Sequence, residues 1–371
     1  MRKHYLDNIR WGTVLLVVLY HIIYMFNGVI TDGVIGPITE FHGQDTIMYI
    51  LYPWFMVLFF IVSGMCANYY LEQHSNKEFL RARTRKLLVP STIGLFVFGW
   101  LQGYINMAIS NAFENIPDTV PIFILYPIMV VSGTGVLWTL QVLWICSLLL
   151  ILIRKIEKNR LLELGRRTNI IVLLLLGIAV WGAAQILNTP VVAVYRFGIY
   201  IFSFLLGYYV LSHEEVTDRL MKYNWLLLIA AVLLGVAYVY FYKGTNYAVV
   251  PYVNCPLAIA YAWVACLAII GSMKRWGNKT GAFATFMTKR SFGLYVFHYL
   301  TLSATAYICV TYLHMKGIAV YLLSAVAAFG GGLLLYAIIS RIPVIRWCVL
   351  GIKKEKKKDV QRQSDSITKN K

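Results

Sequence analysis

Acidic side chains are absent from every long apolar run of this sequence. Its 371 residues include 16 Asp and Glu, and all of these lie between the runs, in the first few residues or in the C-terminal tail. Charged residues of both signs make up 13% of the chain and hydrophobic residues 59%, whereas soluble domains carry about 25% charged residues. The shortage of charge excludes a soluble globular domain and indicates an integral membrane protein.

Motif-spaced cysteines and internal repeats are also absent. Six cysteines are scattered without any CxxC spacing, so we interpret them as small apolar packing residues rather than metal ligands or disulfide partners. The first apolar run has no convincing small-residue cleavage site, and we expect it to remain as a span. The sequence therefore predicts one membrane domain over 1–352, followed by a basic, disordered tail over 353–371 close to anionic lipid headgroups.

Ten apolar runs are long enough to be candidate membrane spans, which predicts an all-α bundle of about ten transmembrane helices. A shorter run near 121–131 contains two prolines, and we interpret it as an interfacial or re-entrant piece. The predicted spans are 11–28, 46–70, 87–109, 134–153, 170–187, 193–211, 224–241, 252–272, 291–313 and 318–340.

The basic residues predict the orientation of the bundle. Of 34 Lys and Arg, 31 lie at the N-terminus, in alternate loops and in the C-terminal tail, while the other loops contain only Arg196, Lys243 and Lys316. Positive charge accumulates on cytoplasmic loops, so both termini are predicted to be cytoplasmic. The net charge of +18 is then the charge of a cytoplasmic face, not of a nucleic-acid-binding protein.

The first span contains an arginine at its start and a histidine well inside it. Arg10 and His21 are eleven residues apart, which places them within roughly 20° of one helix face and about 16 Å apart along the axis. Asp7, three residues before Arg10, is on nearly the same face and can pair with it. Ionisable groups inside the membrane mark functional sites, although Arg10 alone also fits a snorkelling flank and His21 alone an interhelical hydrogen bond.

Three further features are candidates for function. His298 lies in the ninth span and shares a face with Ser291 and Tyr295; on spacing alone, a Tyr–His hydrogen bond that locks two helices explains this arrangement better than a catalytic role does. Arg196 lies at a span edge. A basic loop, KEFLRARTRKLLVP, enters the third span with Arg83, Arg85 and Lys86. It can bind phosphates or serve only as a positive-inside signal.

The order of several segments resembles the acyltransferase-3 family of bacterial membrane O-acyltransferases, and most closely its glucan-modifying branch. YLDNIRWGTVLLVVLYH is similar to the first-span motif of an arginine, ten residues and a histidine, and PWFMVLFFIVSGM is similar to the second span, with Ser63 before glycine. FLRARTRKLLVP, GVLWTLQVLWICSLL, SFGLYVFHYL and RIPVIRWCVLGIK resemble later segments. The resemblance extends over most of residues 3–352.

The resemblance implies a bacterial cell-membrane enzyme that transfers an acyl group, usually acetyl, from cytoplasmic acetyl-CoA to a hydroxyl of an extracytoplasmic or lipid-linked glycan. The resemblance implies His21 as the base, with Arg10 and the cluster Arg83, Arg85 and Lys86 facing the anionic CoA. Together with the positions of the polar residues, we predict a catalytic site of His21, Arg10 and His298, in which His298 has a supporting role that orients the donor or stabilises charge on the thioester oxygen, and no metal. We predict that Tyr295 also binds the donor, and that the supporting residues are Asp7, Trp138, Gln141 and Ser63.

The chain departs from the family pattern at three places. Val136 stands where a histidine usually precedes Trp138, Gln141 replaces a common acidic residue, and Arg83 is paired with Lys86 instead of a second arginine. These departures affect the identity of the acceptor more than the type of reaction.

The main alternative function is a transporter or flippase for a polar solute. The spans contain no acidic residue for ion coupling, which argues against this alternative. A catalytically inactive relative that exports an envelope polymer is a further alternative.

Overall fold

The structure, a computed structural model, describes residues 3–30, 33–40, 42–117, 119–191 and 193–353. The predicted tail, apart from Lys353, lies outside these residues. A two-stranded antiparallel hairpin pairs β1 (Asn188–Val191) with β2 (Ala193–Arg196). The helices are α1 His4–Met25, α2 Gly43–Leu71, α3 Asn76–Ile109, α4 Ile122–Ser132, α5 Gly135–Glu157, α6 Arg160–Arg166, α7 Ile170–Ala184, α8 Phe197–Leu211, α9 Glu214–Lys222, α10 Asn224–Tyr242, α11 Pro256–Trp276, α12 Ala282–Tyr312, α13 Ile318–Ile339 and α14 Pro343–Leu350.

The predicted all-α bundle of about ten spans is confirmed. Eight of the helices in the described part of the chain are long and apolar enough to cross a membrane, namely α1, α2, α3, α5, α10, α11, α12 and α13. The shorter apolar helices α7 and α8 lie at the predicted fifth and sixth spans. The cytoplasmic placement of both termini stays a prediction.

Several predicted boundaries were wrong. Residues 193–196 form strand β2, so the sixth span begins only at Phe197. The basic segment before the third span is helical and not a loop, because a capping box between Ser75 and Glu78 starts α3 at Asn76. Since the helices extend past the apolar runs, four acidic residues lie in terminal turns: Asp7, Asp45, Glu78 and Glu157.

The short helix α4 packs antiparallel against the second half of α3. A Cβ on Gly103 would collide with the carbonyl of Met129, and one on Gly133 would collide with the carbonyl of Gly99, so both glycines are required for this close backbone approach. The chain then breaks at Gly133–Gly135, where Gly135 has φ +40°, and continues as α5. The predicted re-entrant or interfacial piece is thus a helix followed by a glycine-rich turn against α3.

The helices that carry the candidate site pack directly against one another. Helix α1 lies along α12 and α2, and α2 crosses α8 where Gly64 and Gly207 bring the two backbones together. Helix α3 contains two π-helical turns, Thr84–Leu88 and Leu95–Gly99. Each π turn inserts an extra residue into the helical repeat, so residues before and after it face different neighbours.

Candidate active site

Two histidines from opposite ends of the chain meet between α1 and α12. His21 Nδ1 lies 3.1 Å from His298 Nε2, and the ring centroids are 5.1 Å apart. His298 is completely buried, whereas His21 retains partial exposure. The sequence placed both residues inside spans, and the structure joins them in a direct hydrogen bond.

The backbone of α12 determines which nitrogen of each neutral ring carries the proton. His298 Nδ1 lies 2.8 Å from the carbonyl oxygen of Tyr295 and 3.1 Å from that of Leu294. Because carbonyls only accept, Nδ1 of His298 is the donor and its Nε2 is an acceptor. His21 must then donate from Nδ1, which leaves the lone pair of its Nε2 available for chemistry.

Aromatic rings surround the histidine pair. Tyr20, Tyr24 and Tyr299 have ring centroids 5.3, 6.3 and 5.0 Å from that of His21. Tyr295 is buried, and its hydroxyl donates to the carbonyl of Val136 at 2.6 Å. Tyr295 therefore holds the first turn of α5 against α12, and this contact engages the hydroxyl of a residue that the sequence predicts to bind the donor.

A small cleft lies next to Tyr299, whose ring packs against the histidine pair. Tyr299 forms part of its wall and separates it from His21. Its one buried amide, Gln102, donates to Asn106 Oδ1 at 2.7 Å and to Ser303 Oγ at 3.0 Å. The cleft is lined mainly by apolar and glycine residues, including Pro90, Phe98, Gly133, Leu137, Val296 and Leu300.

The arginines of the first and third helices lie on one side of this centre. Arg10 has a side chain that is 54% exposed, and its guanidinium lies 3.8 Å from the carboxylate of Asp7, as predicted from their spacing. Arg83 is half-buried and lies within electrostatic range of Arg10. Both arginines lie within the same range of the Cys66 thiol, so the structure brings Arg10 and Arg83 towards a common region.

The remainder of the basic cluster faces elsewhere. Lys86 is exposed, and its ammonium lies 5.6 Å from the centroid of the Phe292 ring on α12. Arg85 packs its backbone carbonyl against Gly351, and its buried Nε has no hydrogen-bond partner. Arg85 and Lys86 lie within the π turn that begins at Thr84, so they face different neighbours from Arg83, which precedes the turn.

The predicted supporting residues make packing and tethering contacts. Ser63 donates to the carbonyl of Phe59 on its own helix. Trp138 stacks on Phe60, with ring centroids 6.4 Å apart. Gln141 donates to the carbonyl of Ser91 at 2.9 Å, which ties α5 to α3.

Sequence reasoning missed Tyr299 and Gln102. Tyr299 directly follows His298, but the position of its ring beside His21 depends on how two distant helices pack. Gln102 is a buried amide inside a predicted span, and its position in the sequence is itself a signal, because a polar side chain within the membrane is costly unless it is hydrogen-bonded. Within the described ranges, no group of three or more His, Cys, Asp or Glu is placed to hold a metal ion.

A bundle of about ten membrane helices with a histidine pair at its centre defines a multi-pass membrane protein with a buried polar site. The family model described as an acyltransferase domain, that of the acyltransferase-3 family, matches residues 3–337. The chain therefore belongs to this family and is a membrane acyltransferase. No curated protein and no solved structure matches the chain.

Proposed function

We propose that the protein transfers an acyl group, acetyl in the simplest case, from cytoplasmic acyl-CoA to a hydroxyl of a glycan or similar acceptor of the bacterial cell envelope. The observation that carries this proposal is the hydrogen bond between His21 and His298. It leaves one imidazole nitrogen unprotonated inside the bundle, which is the group an acyl transfer to a hydroxyl needs.

His21 is the base in this proposal. The acceptor hydroxyl oxygen attacks the thioester carbonyl while its proton passes to Nε2 of His21. The C–S bond then breaks, and the departing thiolate takes the proton from Nε2, which restores the neutral pair. The same nitrogen is the one that would carry the acyl group in a two-step reaction.

His298 is the positioning residue. Its Nε2 accepts from His21 and stabilises the positive charge that develops on His21 during the transfer. Its own orientation is fixed by two backbone carbonyls of α12, so the pair needs little reorganisation when the proton moves.

The donor binds on the side of Arg10 and Arg83. CoA carries phosphate groups, and guanidinium groups pair with phosphates through charge-assisted hydrogen bonds. The exposed Arg10 side chain is suited to the phosphates at the entrance, while the Arg83 side chain is half-buried.

Purified full-length protein in lipid nanodiscs tests the proposal. With acetyl-CoA and an extract of envelope glycans, wild-type protein should release free CoA and label the glycan fraction with acetyl groups detectable by mass spectrometry. Folded wild-type protein that releases no more CoA than His21→Ala, with either acetyl-CoA or succinyl-CoA as donor, contradicts the proposal. Such a result favours a transporter, which binds and moves a solute without breaking the thioester.

A further inference from the structure

A further arginine is almost completely buried inside the bundle. Arg196 lies where β2 meets α8 and is only 1% exposed. One of its terminal nitrogens donates to the carbonyl of Val253 at 3.1 Å, whereas its buried Nε has no hydrogen-bond partner. None of the ion pairs formed by the described residues involves Arg196. A buried cation without an anionic partner is costly.

Tyrosines surround the guanidinium. Tyr52, Tyr238 and Tyr247 line a narrow cleft with Arg196, and the cleft is too tight in this structure to hold a water molecule, so a ligand binds there only when the tyrosine rings move apart. The Tyr200 hydroxyl also lies within reach of the guanidinium. Aromatic faces stabilise a cation in part, and the Tyr200 hydroxyl can accept one hydrogen bond from the guanidinium, but neither supplies the negative charge that would neutralise it.

The unused polar groups of this cleft are donors. Among the described residues, the hydroxyls of Tyr52 and Tyr238 make no hydrogen bond to a neighbour, and the Nε of Arg196 is likewise unbonded. Three N–H or O–H groups thus border one cleft without an acceptor, and a guanidinium cannot lose its proton to become one. A group that only accepts hydrogen bonds and carries negative charge complements them.

The Tyr20 side chain connects this cleft to the histidine pair. The Tyr247 hydroxyl lies 3.0 Å from that of Tyr20, and the rings of Tyr20 and Tyr52 are 5.9 Å apart. Tyr20 in turn lies beside His21. Because Arg196 belongs to one of the loops predicted to face outwards, the cleft lies opposite the arginines assigned to the donor.

We propose that Arg196, Tyr52 and Tyr238 form a subsite for an oxyanion of the acceptor, either a sugar carboxylate or a phosphate. This inference rests on the proposed function, since it specifies the acceptor as an anionic molecule whose hydroxyl reaches His21. The anion fixes the acceptor from the outer side, and acyl-CoA approaches from the inner side.

Ligand-induced thermal shifts test the subsite without requiring turnover. The probes are glucose, glucuronate and glucose 1-phosphate, at one ionic strength set with NaCl and with the full-length protein in detergent. One or both charged sugars should raise the Tm of the wild type more than glucose does, and the one that does so identifies the carboxylate or the phosphate as the preferred group. The shift should vanish in Arg196→Gln and persist in Lys243→Gln, which removes one exposed positive charge from the neighbouring outer loop.

Tyr238→Phe keeps the proposal testable if Arg196→Gln does not fold, because the Tyr238 hydroxyl makes no hydrogen bond that the substitution would break. The charged-sugar shift should fall at least severalfold in this variant. A shift of equal size with glucose, no shift with any of the three sugars, or a shift unchanged in the folded variants overturns the subsite. CoA release that depends on His21 would still support the acyl transfer in that case, and a charged-sugar shift without CoA release would contradict only the acyl transfer.

Discussion

His298 holds His21 in one tautomer. The Nδ1 of His298 faces the carbonyl oxygens of Leu294 and Tyr295, and its Nε2 lies 3.1 Å from Nδ1 of His21. The backbone of α12 thus sets the proton positions along a two-imidazole chain that ends at Nε2 of His21. Because the tautomer is fixed in this way, Nε2 of His21 can accept a proton without a rearrangement of either ring.

Substitution of His298 should lower activity in proportion to how well the new side chain accepts from His21. His298→Gln retains an acceptor and should keep a partial rate, whereas His298→Leu has a similar bulk but no acceptor and should be slower by at least a further tenfold. The KM for acyl-CoA should change little in either variant, because in the proposed mechanism His298 acts through His21. Equal rates in the two variants would show that the hydrogen bond contributes nothing to the reaction.

Arg83 is expected to bind the donor phosphates. Arg83→Gln should raise the KM for acetyl-CoA about tenfold, the loss expected for one charge-assisted hydrogen bond of roughly 1.5 kcal/mol, with a smaller change in kcat. Arg81→Gln is the matched control, since Arg81 lies on the same helix and is exposed. Lys86→Gln should have the weaker effect of the two cluster substitutions because Lys86 faces α12. Equal KM values for Arg83→Gln and Arg81→Gln would remove Arg83 from the donor site.

The glycine contact between α3 and α4 should be necessary for stability. Gly133→Ala places a methyl group against the backbone of Gly99, and overpacking of this kind costs about 1–3 kcal/mol, so the Tm should fall by several degrees. Gly12→Ala meets no atom within 4 Å and should leave the Tm unchanged or raise it, since alanine stabilises a helix interior by about 0.5–1 kcal/mol relative to glycine. A Gly133→Ala variant as stable as Gly12→Ala would mean that the two helices are not in close contact.

The orientation of the bundle can be tested with reporter fusions at four asparagines. Fusions after Asn115 and Asn246 should report an extracytoplasmic location, and fusions after Asn76 and Asn159 a cytoplasmic one, because the basic residues accumulate in alternate loops. A cytoplasmic signal at Asn246 would reverse the second half of the bundle. It would also place the Arg196 cleft on the same side as the donor arginines.

The sequence supports the spans and the contents of single helices, but not the contacts between helices. The helical repeat placed Asp7, Arg10 and His21 on one face of α1, and the structure has the Asp7–Arg10 pair. The His21–His298 bond joins residues 277 positions apart, and hydrophobic periodicity does not specify which helices become neighbours.

Local irregularities caused the other errors. The π turn at Thr84–Leu88 directs Arg83 and Lys86 to different helices, although a regular helix would keep residues three apart on one side. The sequence predicts a helix where the strand Ala193–Arg196 forms, because Ala193, Val194 and Tyr195 continue an apolar run. It also predicts that Arg196 lies at the edge of a span, but hydrophobic patterning does not indicate that tyrosines from three other segments bury this arginine.

Turnover of the His21 variants tests the central claim most directly. His21→Ala and His21→Asn should each lose acyl transfer by about 10²–10⁴-fold, the usual effect of removing a general base. Their expression and Tm should stay close to those of the wild type, because one partly exposed imidazole contributes little to a bundle of this size. The measurement is CoA release from acetyl-CoA by purified protein in nanodiscs, in an assay able to resolve a loss of that size. A folded variant that keeps more than about a tenth of the wild-type rate, far above the rate expected without a base, would contradict the assignment of His21 as the catalytic base.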